Sequence, residues 1–375
     1  MKKNRLLLIL GLLLATVLIL GACGTSDEED TSSDDTSSED TTEDASEDTE
    51  EAIDYKVAMV TDVGGVDDKS FNQSAWEGLG AFGADNGLVE EEGYAYAQSD
   101  QDADFLPNLN RLIQQDFNLI FGVGYKLAEA LGEVAGQNPD TNFAIIDSVV
   151  EGDNVASITF AEQEGSFLVG VAAAMKSESG KVGFIGGEES DLIKRFETGF
   201  VAGVASVDPE IEVVREYAAS FADAAKGKAI AASMYNDGVD VIYHSSGATG
   251  NGVFAQAKDI KNSDPEANVW VIGVDRDQYE EGAINDTNVT LTSMLKRVDV
   301  AVNDLATQGL NGEFPSGEIL TFGLAEDGVG VATTNEEAYT EDIATAVEEA
   351  KQQVLDGTIE VPTTDEELES YLESL

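Results

Sequence analysis

From residue 55 onward, short apolar runs alternate with longer amphipathic stretches, and no other feature limits the fold so tightly. Runs at 56–61, 94–98, 119–123, 143–146 and 156–159 form one set of predicted strands. Runs at 181–185, 212–217, 239–243 and 269–274 form a second. Several are nearly continuous Val, Ile and Phe, as expected of strands covered on both faces. Between them, apolar residues recur at three- and four-residue spacing. Phe71, Ala75, Leu79 and Phe82 are one such series, and Phe196, Phe200 and Val204 another. Strand, helix, strand in this order implies right-handed crossovers and an α/β fold with parallel sheets. Two sets of strands imply two sheets, linked through residues 161–179.

The segment after residue 289 reads as a return: a strand at 290–294, a helix at 297–310, a strand at 319–323 and a helix at 340–355. The expected organisation is a first lobe of 55–160 plus 289–315 and a second of 161–288 plus 316–357. Residues 358–375 form an acidic tail. A chain that crosses three times between lobes makes a stiff hinge. A ligand then sits in the cleft, outside the carboxyl ends of the strands.

The N-terminus bears on location. Lys2, Lys3 and Arg5 precede an apolar stretch at 6–20, which closes on Leu20-Gly21-Ala22-Cys23. Positive charge, a short apolar core and small residues read as a secretory signal over residues 1–22. The run is shorter than the ~20 residues a membrane span needs. Cys23 is the only cysteine, so the chain can form no intramolecular disulfide. Its setting resembles the lipobox of bacterial lipoproteins. That resemblance implies a lipid-modified Cys23 and an extracytoplasmic protein anchored to the membrane. Residues 23–54 are mainly Asp, Glu, Ser and Thr, and read as a disordered tether. The net charge of −54 is spread over the rest of the chain as well. It argues against a nucleic-acid partner, which needs clustered Lys and Arg. It also suggests a high-salt habitat, where counter-ions screen the self-repulsion.

The carboxyl ends of the strands carry the candidate chemistry. Asp62 to Asp68 follow the first strand, then Ser70, Phe71 and Asn72. Gly122 ends the third strand and Asp147 the fourth. Tyr243 and His244 lead into Ser245, Ser246 and Gly247; Asp275 and Lys296 end two later strands. The stretch 60–78 resembles the opening of the basic membrane protein family of solute-binding lipoproteins, the purine nucleoside receptors. Arg195-Phe196-Glu197-Thr198-Gly199-Phe200, residues 243–252, Val274-Asp275-Arg276-Asp277-Gln278 and residues 293–296 continue the resemblance in order.

The resemblance implies a two-lobed type I periplasmic-binding fold with three crossovers. It also implies a purine nucleoside ligand and the permease and ATPase subunits of an ABC importer as partners. On this reading Phe71 and Tyr243 are opposing aromatic walls, and Asp62 and Asn72 meet the base edge. Asp275 and Lys296 meet the ribose hydroxyls, while Gly122 and Gly247 let the backbone approach; Asp147 and Ser70 complete the set. No catalytic residue, metal or cofactor is expected. His244, the sole histidine, reads as a packing or hydrogen-bonding residue, since no serine elbow or free thiol accompanies it. One alternative is an enzyme: residues 61–68 also resemble the calcium-binding opening of nucleoside hydrolases. The pattern departs through an inserted residue and Val60 where that family has an aspartate. A sugar-binding or sensory lipoprotein of the same fold is the other.

Overall fold

The computed structural model describes residues 54–375. The signal, Cys23 and the acidic segment through residue 53 lie outside the described residues. The first lobe opens with β1 (Val57–Val60), α1 (Phe71–Asp85), β2 (Tyr94–Ala97), α2 (Phe105–Gln114) and β3 (Leu119–Val123). It continues with α3 (Ala128–Gln137), β4 (Asn142–Ile146) and β5 (Val155–Phe160). Then α4 (Glu162–Lys176) leads into β6 (Lys181–Gly186), α5 (Asp191–Val207), β7 (Glu212–Tyr217) and α6 (Ala224–Asn236). The second lobe proceeds through β8 (Val241–Ser245), α7 (Gly250–Ser263) and β9 (Trp270–Asp275). A small hairpin of β10 (Ala283–Ile284) and β11 (Thr287–Asn288) precedes β12 (Thr290–Lys296). The chain closes with α8 (Val298–Leu310), β13 (Ile319–Phe322), β14 (Val329–Val331), α9 (Glu341–Leu355) and α10 (Asp365–Ser374).

The strands build two six-stranded sheets, ordered β13-β5-β4-β3-β1-β2 and β14-β12-β9-β8-β6-β7. All neighbours are parallel except β14, which runs antiparallel along β12. The two most interior strands of the first sheet, β3 and β4, are buried along nearly their whole length, which explains their unbroken apolar runs. The chain passes between the sheets after β5, after β12 and after β13.

Two segments differ from the sequence reading. The return strand β12 pairs with β9, in the second sheet, and β13 pairs with β5, in the first. The boundaries 289–315 and 316–357 therefore exchange their strands, while α8 does pack on α1 in the first lobe. The cause is local: β12 ends at Lys296 and α8 begins at Val298, so the crossing takes a single residue and leaves no loop to mark it. The acidic tail is not featureless either. Thr364 and Glu367 form a capping box that starts α10. Leu368 is buried there, and the Tyr371 ring meets Phe167 edge-on at 6.5 Å.

Candidate ligand-binding site

A cavity lies between the lobes, at the carboxyl ends of both sheets; the space within its envelope, the part open to solvent included, is about 530 Å³. The first lobe contributes Asp62, Phe71, Asn72, Gly124, Tyr125 and Asp147. The loop after β1 is organised by Asp68. Its carboxylate accepts the backbone N–H groups of Ser70, Asn72 and Gln73 at 2.8–3.1 Å, which satisfies the free donors at the start of α1. That cap presents Phe71 and Asn72 to the cleft. The Asn72 amide then donates to Asp62 at 2.7 Å and to Asp68 at 3.1 Å. Gly64 N–H donates to Asp62 at 3.0 Å. Burial pushes the Asp62 carboxyl up to about 6, against the pull of those bonds from Asn72 and Gly64.

The second lobe contributes Leu192, Ile193 and Phe196 from α5, Phe221, residues 245–247, Asp275 and Lys296. Asp147 and Asp275 are counterparts, one at the end of β4 and one at the end of β9. Both hold the left-handed backbone conformation, each with φ of 67°. A non-glycine residue there costs of order 1–2 kcal/mol, and aspartate is among those that tolerate it.

Lys296 joins the two sides. Its ammonium is 2.6 Å from Asp147 and 3.1 Å from Glu162, with the side chain 1% exposed. Burial opposes its charge, but Asp147, Glu162 and Asp275 more than offset that and hold its pKa above the ordinary value. Asp275 is pushed up to about 7, first by burial and then by Asp68 and Asp147, while Lys296 and Ser70 pull it down. The Ser70 hydroxyl donates to Asp275 across the cleft.

Further bonds hold the lobes together. Arg276 grips Glu77 through two bonds, at 2.9 and 2.7 Å. Lys126 meets Glu188 at 2.6 Å, and Asn251 donates to the Asp68 carbonyl at 3.1 Å. Gln278 donates to the Lys69 carbonyl at 2.8 Å. His244 sits behind Gln278, fully buried, with Nε2 3.1 Å from its Oε1. Burial lowers its pKa to about 4, so it stays neutral. It supports the residue that reaches across.

Of the residues read from sequence, Asp62, Phe71, Asn72, Asp147, Gly247, Asp275 and Lys296 line the cavity. Ser70 stands just behind the wall, through Asp275. Gly122 and Tyr243 do not line it. Alternation along β3 turns Gly122 into the first lobe's own core, where a Cβ would lie 2.7 Å from Leu131. The glycine at the wall is Gly124, with φ of 113°, beside Asp62 and Phe71. Tyr243 is mid-strand and wholly buried against Phe184 and Phe200, with its hydroxyl 3.1 Å from Ser166. The second lobe's aromatic surface comes from Phe196 and Phe221 instead. Phe196 has helical apolar spacing, which gives core and cavity the same signature. Tyr125, directly after a strand-end glycine, carried a readable signal. Glu162, an acid opening an otherwise apolar helix, carried a weaker one.

The fold and the closed interlobe cavity define a two-lobed α/β solute-binding protein. The chain belongs to the Bmp family: the model for PnrA-like ABC transporter substrate-binding proteins matches residues 55–365. A CD4+ T-cell-stimulating antigen of Listeria innocua is 49% identical over 369 residues, covering 96% of this chain and 99% of that protein. The ABC transporter nucleoside-binding protein BmpA of Lactococcus lactis is 43% identical over 368 residues, with the same coverage of 96% and 99%. A solved ABC transporter solute-binding protein from Aeropyrum pernix matches with a TM-score of 0.74 at 27% identity, covering 85% of this chain and 98% of that one. The family, the Lactococcus lactis relative and the Aeropyrum pernix protein are solute-binding proteins of ABC transporters, not enzymes, and the hydrolase reading of residues 61–68 falls with that. The paired aspartates of that stretch also part company, since Asp68 is consumed in capping α1 while Asp67 is exposed.

Proposed function

We propose that this protein captures a purine nucleoside in the interlobe cavity and presents it to the membrane subunits of an ABC importer. On this reading it works outside the cytoplasm, anchored through lipidated Cys23. The observation that carries the ligand class is the set of groups that line one cavity. Asp62 and Asn72, bonded to each other, share it with Asp275, Lys296 and Asp147 and with the Phe71 ring. A purine is a flat ring with polar edges joined to a sugar with adjacent hydroxyls. Its ring would stack on Phe71, worth ~1–3 kcal/mol per base. The Asp62 carboxylate would accept ring N–H groups. Asp275 would accept the two ribose hydroxyls, and charge makes such bonds roughly twice as strong. The printed name of the Lactococcus lactis relative supports the same ligand class.

Closure follows from the same contacts. A nucleoside touching Phe71 and Asp275 together binds only when the lobes meet, so it favours the closed state by that difference in affinity. The importer would recognise that state. A thermal-shift panel of purine and pyrimidine nucleosides, free bases, ribose and glucose tests the proposal. A ligand present at 100 times its Kd stabilises by ≈ 2.7 kcal/mol. Purine nucleosides raising Tm well beyond free base or ribose is the expected result. Glucose alone raising it would mean a sugar-binding protein.

A further inference from the structure

Four charged side chains meet beneath the cleft, and one of them has no evident business there. Lys296 and Asp147 line the cavity. Arg195 is half-buried on α5, facing an outer crevice. Glu162 reaches neither the cavity nor solvent: its side chain is 0% exposed. It lies 3.1 Å from the Lys296 ammonium and 3.3 Å from the Arg195 guanidinium. Neither oxygen has a hydrogen-bond partner among the described residues, so the two cations hold it by charge alone. A buried carboxylate is costly unless paired, and replacing such pairs with apolar residues is often neutral or better for stability. Stability alone is therefore a poor account of Glu162.

Its position supplies another. Glu162 is the first residue of α4, immediately after the first crossing between lobes, and a helix N-terminus favours a carboxylate. Lys296 is the last residue of β12, at the second crossing. The contact ties two crossings together under the cavity. An ammonium has three protons to donate. Asp147 accepts a hydrogen bond from it, Glu162 attracts it at ion-pair distance, and the rings of Phe71, Phe160 and Phe196, 5.0–5.5 Å from the nitrogen, confine the head further. Its other protons are left for the ligand or Asp275.

We propose that Glu162 is a positioning residue of the binding site: with Asp147 it fixes the Lys296 ammonium where it meets the hydroxyl-bearing end of the ligand, without touching the ligand itself. The proposal rests on the nucleoside reading above.

Its test is calorimetric titration of the full chain with inosine and with 2′,3′-dideoxyinosine, which lacks the adjacent 2′- and 3′-hydroxyls. Wild-type protein binding neither these nor guanosine nor adenosine would overturn the nucleoside reading itself. Given wild-type binding, Glu162→Gln should weaken inosine about tenfold, the scale of one charge-assisted contact, and weaken the dideoxy ligand much less. Wild-type affinity for both ligands in Glu162→Gln, or an equal loss for both, would overturn the positioning role. Should Glu162→Gln fail to fold, Lys296→Met/Glu162→Gln removes both ends of the pair and is compared with Lys296→Met. The double variant should bind inosine as the single does, because Glu162 acts through Lys296. A further loss in the double variant would contradict that.

Discussion

Asp275 shows at the residue scale how burial becomes a pH response. Its folded pKa of about 7 lies above its ordinary 3.8, so the folded chain holds this proton over a range where the unfolded chain has lost it. The stability it contributes to the ligand-free protein is fully present below about 4 and is lost as pH rises through about 7. Asp62 acts in the same sense, with its share lost as pH rises from about 4 through about 6. Asp275→Asn should remove Asp275's share of that slope in urea unfolding of the ligand-free protein between pH 4 and 8. Nucleoside binding runs the other way, because the carboxylate is the form that accepts two hydroxyls. Affinity should therefore fall as pH drops below about 7, and Asp275→Asn should weaken binding and leave only the fall below about 6 that Asp62 contributes. Phe71→Ala should weaken binding about tenfold or more, as one lost stacking surface does, with little change in unfolding, since Phe71 is only partly buried. Tyr243→Phe should leave binding alone, because the ring is packed inside the second lobe. The resemblance paired Phe71 with Tyr243 as opposing walls. Phe71 opens α1 at the cleft, whereas Tyr243 lies within β8 with its side chain turned onto α4 and α5.

At the scale of elements, α4 and α5 pack in very close contact. A Cβ on Gly203 would collide with the carbonyl of Phe167, and one on Gly170 with the carbonyl of Phe200. The helices thus touch backbone to backbone, and α4 is buried almost all round. Gly203→Ala should force them apart and destabilise by about 1–3 kcal/mol or more, read from the urea midpoint at unchanged slope. Nearly every strand was legible as a run of β-branched and aromatic residues. The helices α2, α6 and α7 were less so: Pro107 falls in the first turn of α2, and α6 and α7 mix Gly, Asn and Lys among their apolar residues. The membership of β12 and β13 was not legible at all. Both read correctly as strands, but sheet pairing is settled by which neighbour lies beside them after a one-residue crossing. The short edge strand β14 is three residues long, too short for any period to register.

For the whole molecule, the bonds across the cleft describe a closed form, and several involve partly exposed ions such as Arg276 with Glu77 and Lys126 with Glu188. Exposed pairs of this kind are worth ≈ 0–1 kcal/mol each. Closure must then depend mainly on the ligand and on the buried contacts of Lys296 and Asp275. A chain with 74 acidic and 20 basic residues repels itself at low ionic strength. Its unfolding midpoint should be higher in ~1 M than in ~10 mM salt, and an equal midpoint in both would remove the inference of a high-salt habitat. The general location of the site, at the strand ends between two lobes, was legible because topology alone dictates it. The identity of the second aromatic wall was not, because it comes from the face of a helix. The central claim is that this cavity holds an intact purine nucleoside. Calorimetric titration of the full chain with guanosine and inosine, followed by chromatography of the ligand, tests it most directly. The account predicts one-to-one binding, with the nucleoside recovered whole and the heat much reduced in Asp275→Asn. Absence of heat with every nucleoside, under salt conditions where the protein is folded, would contradict it.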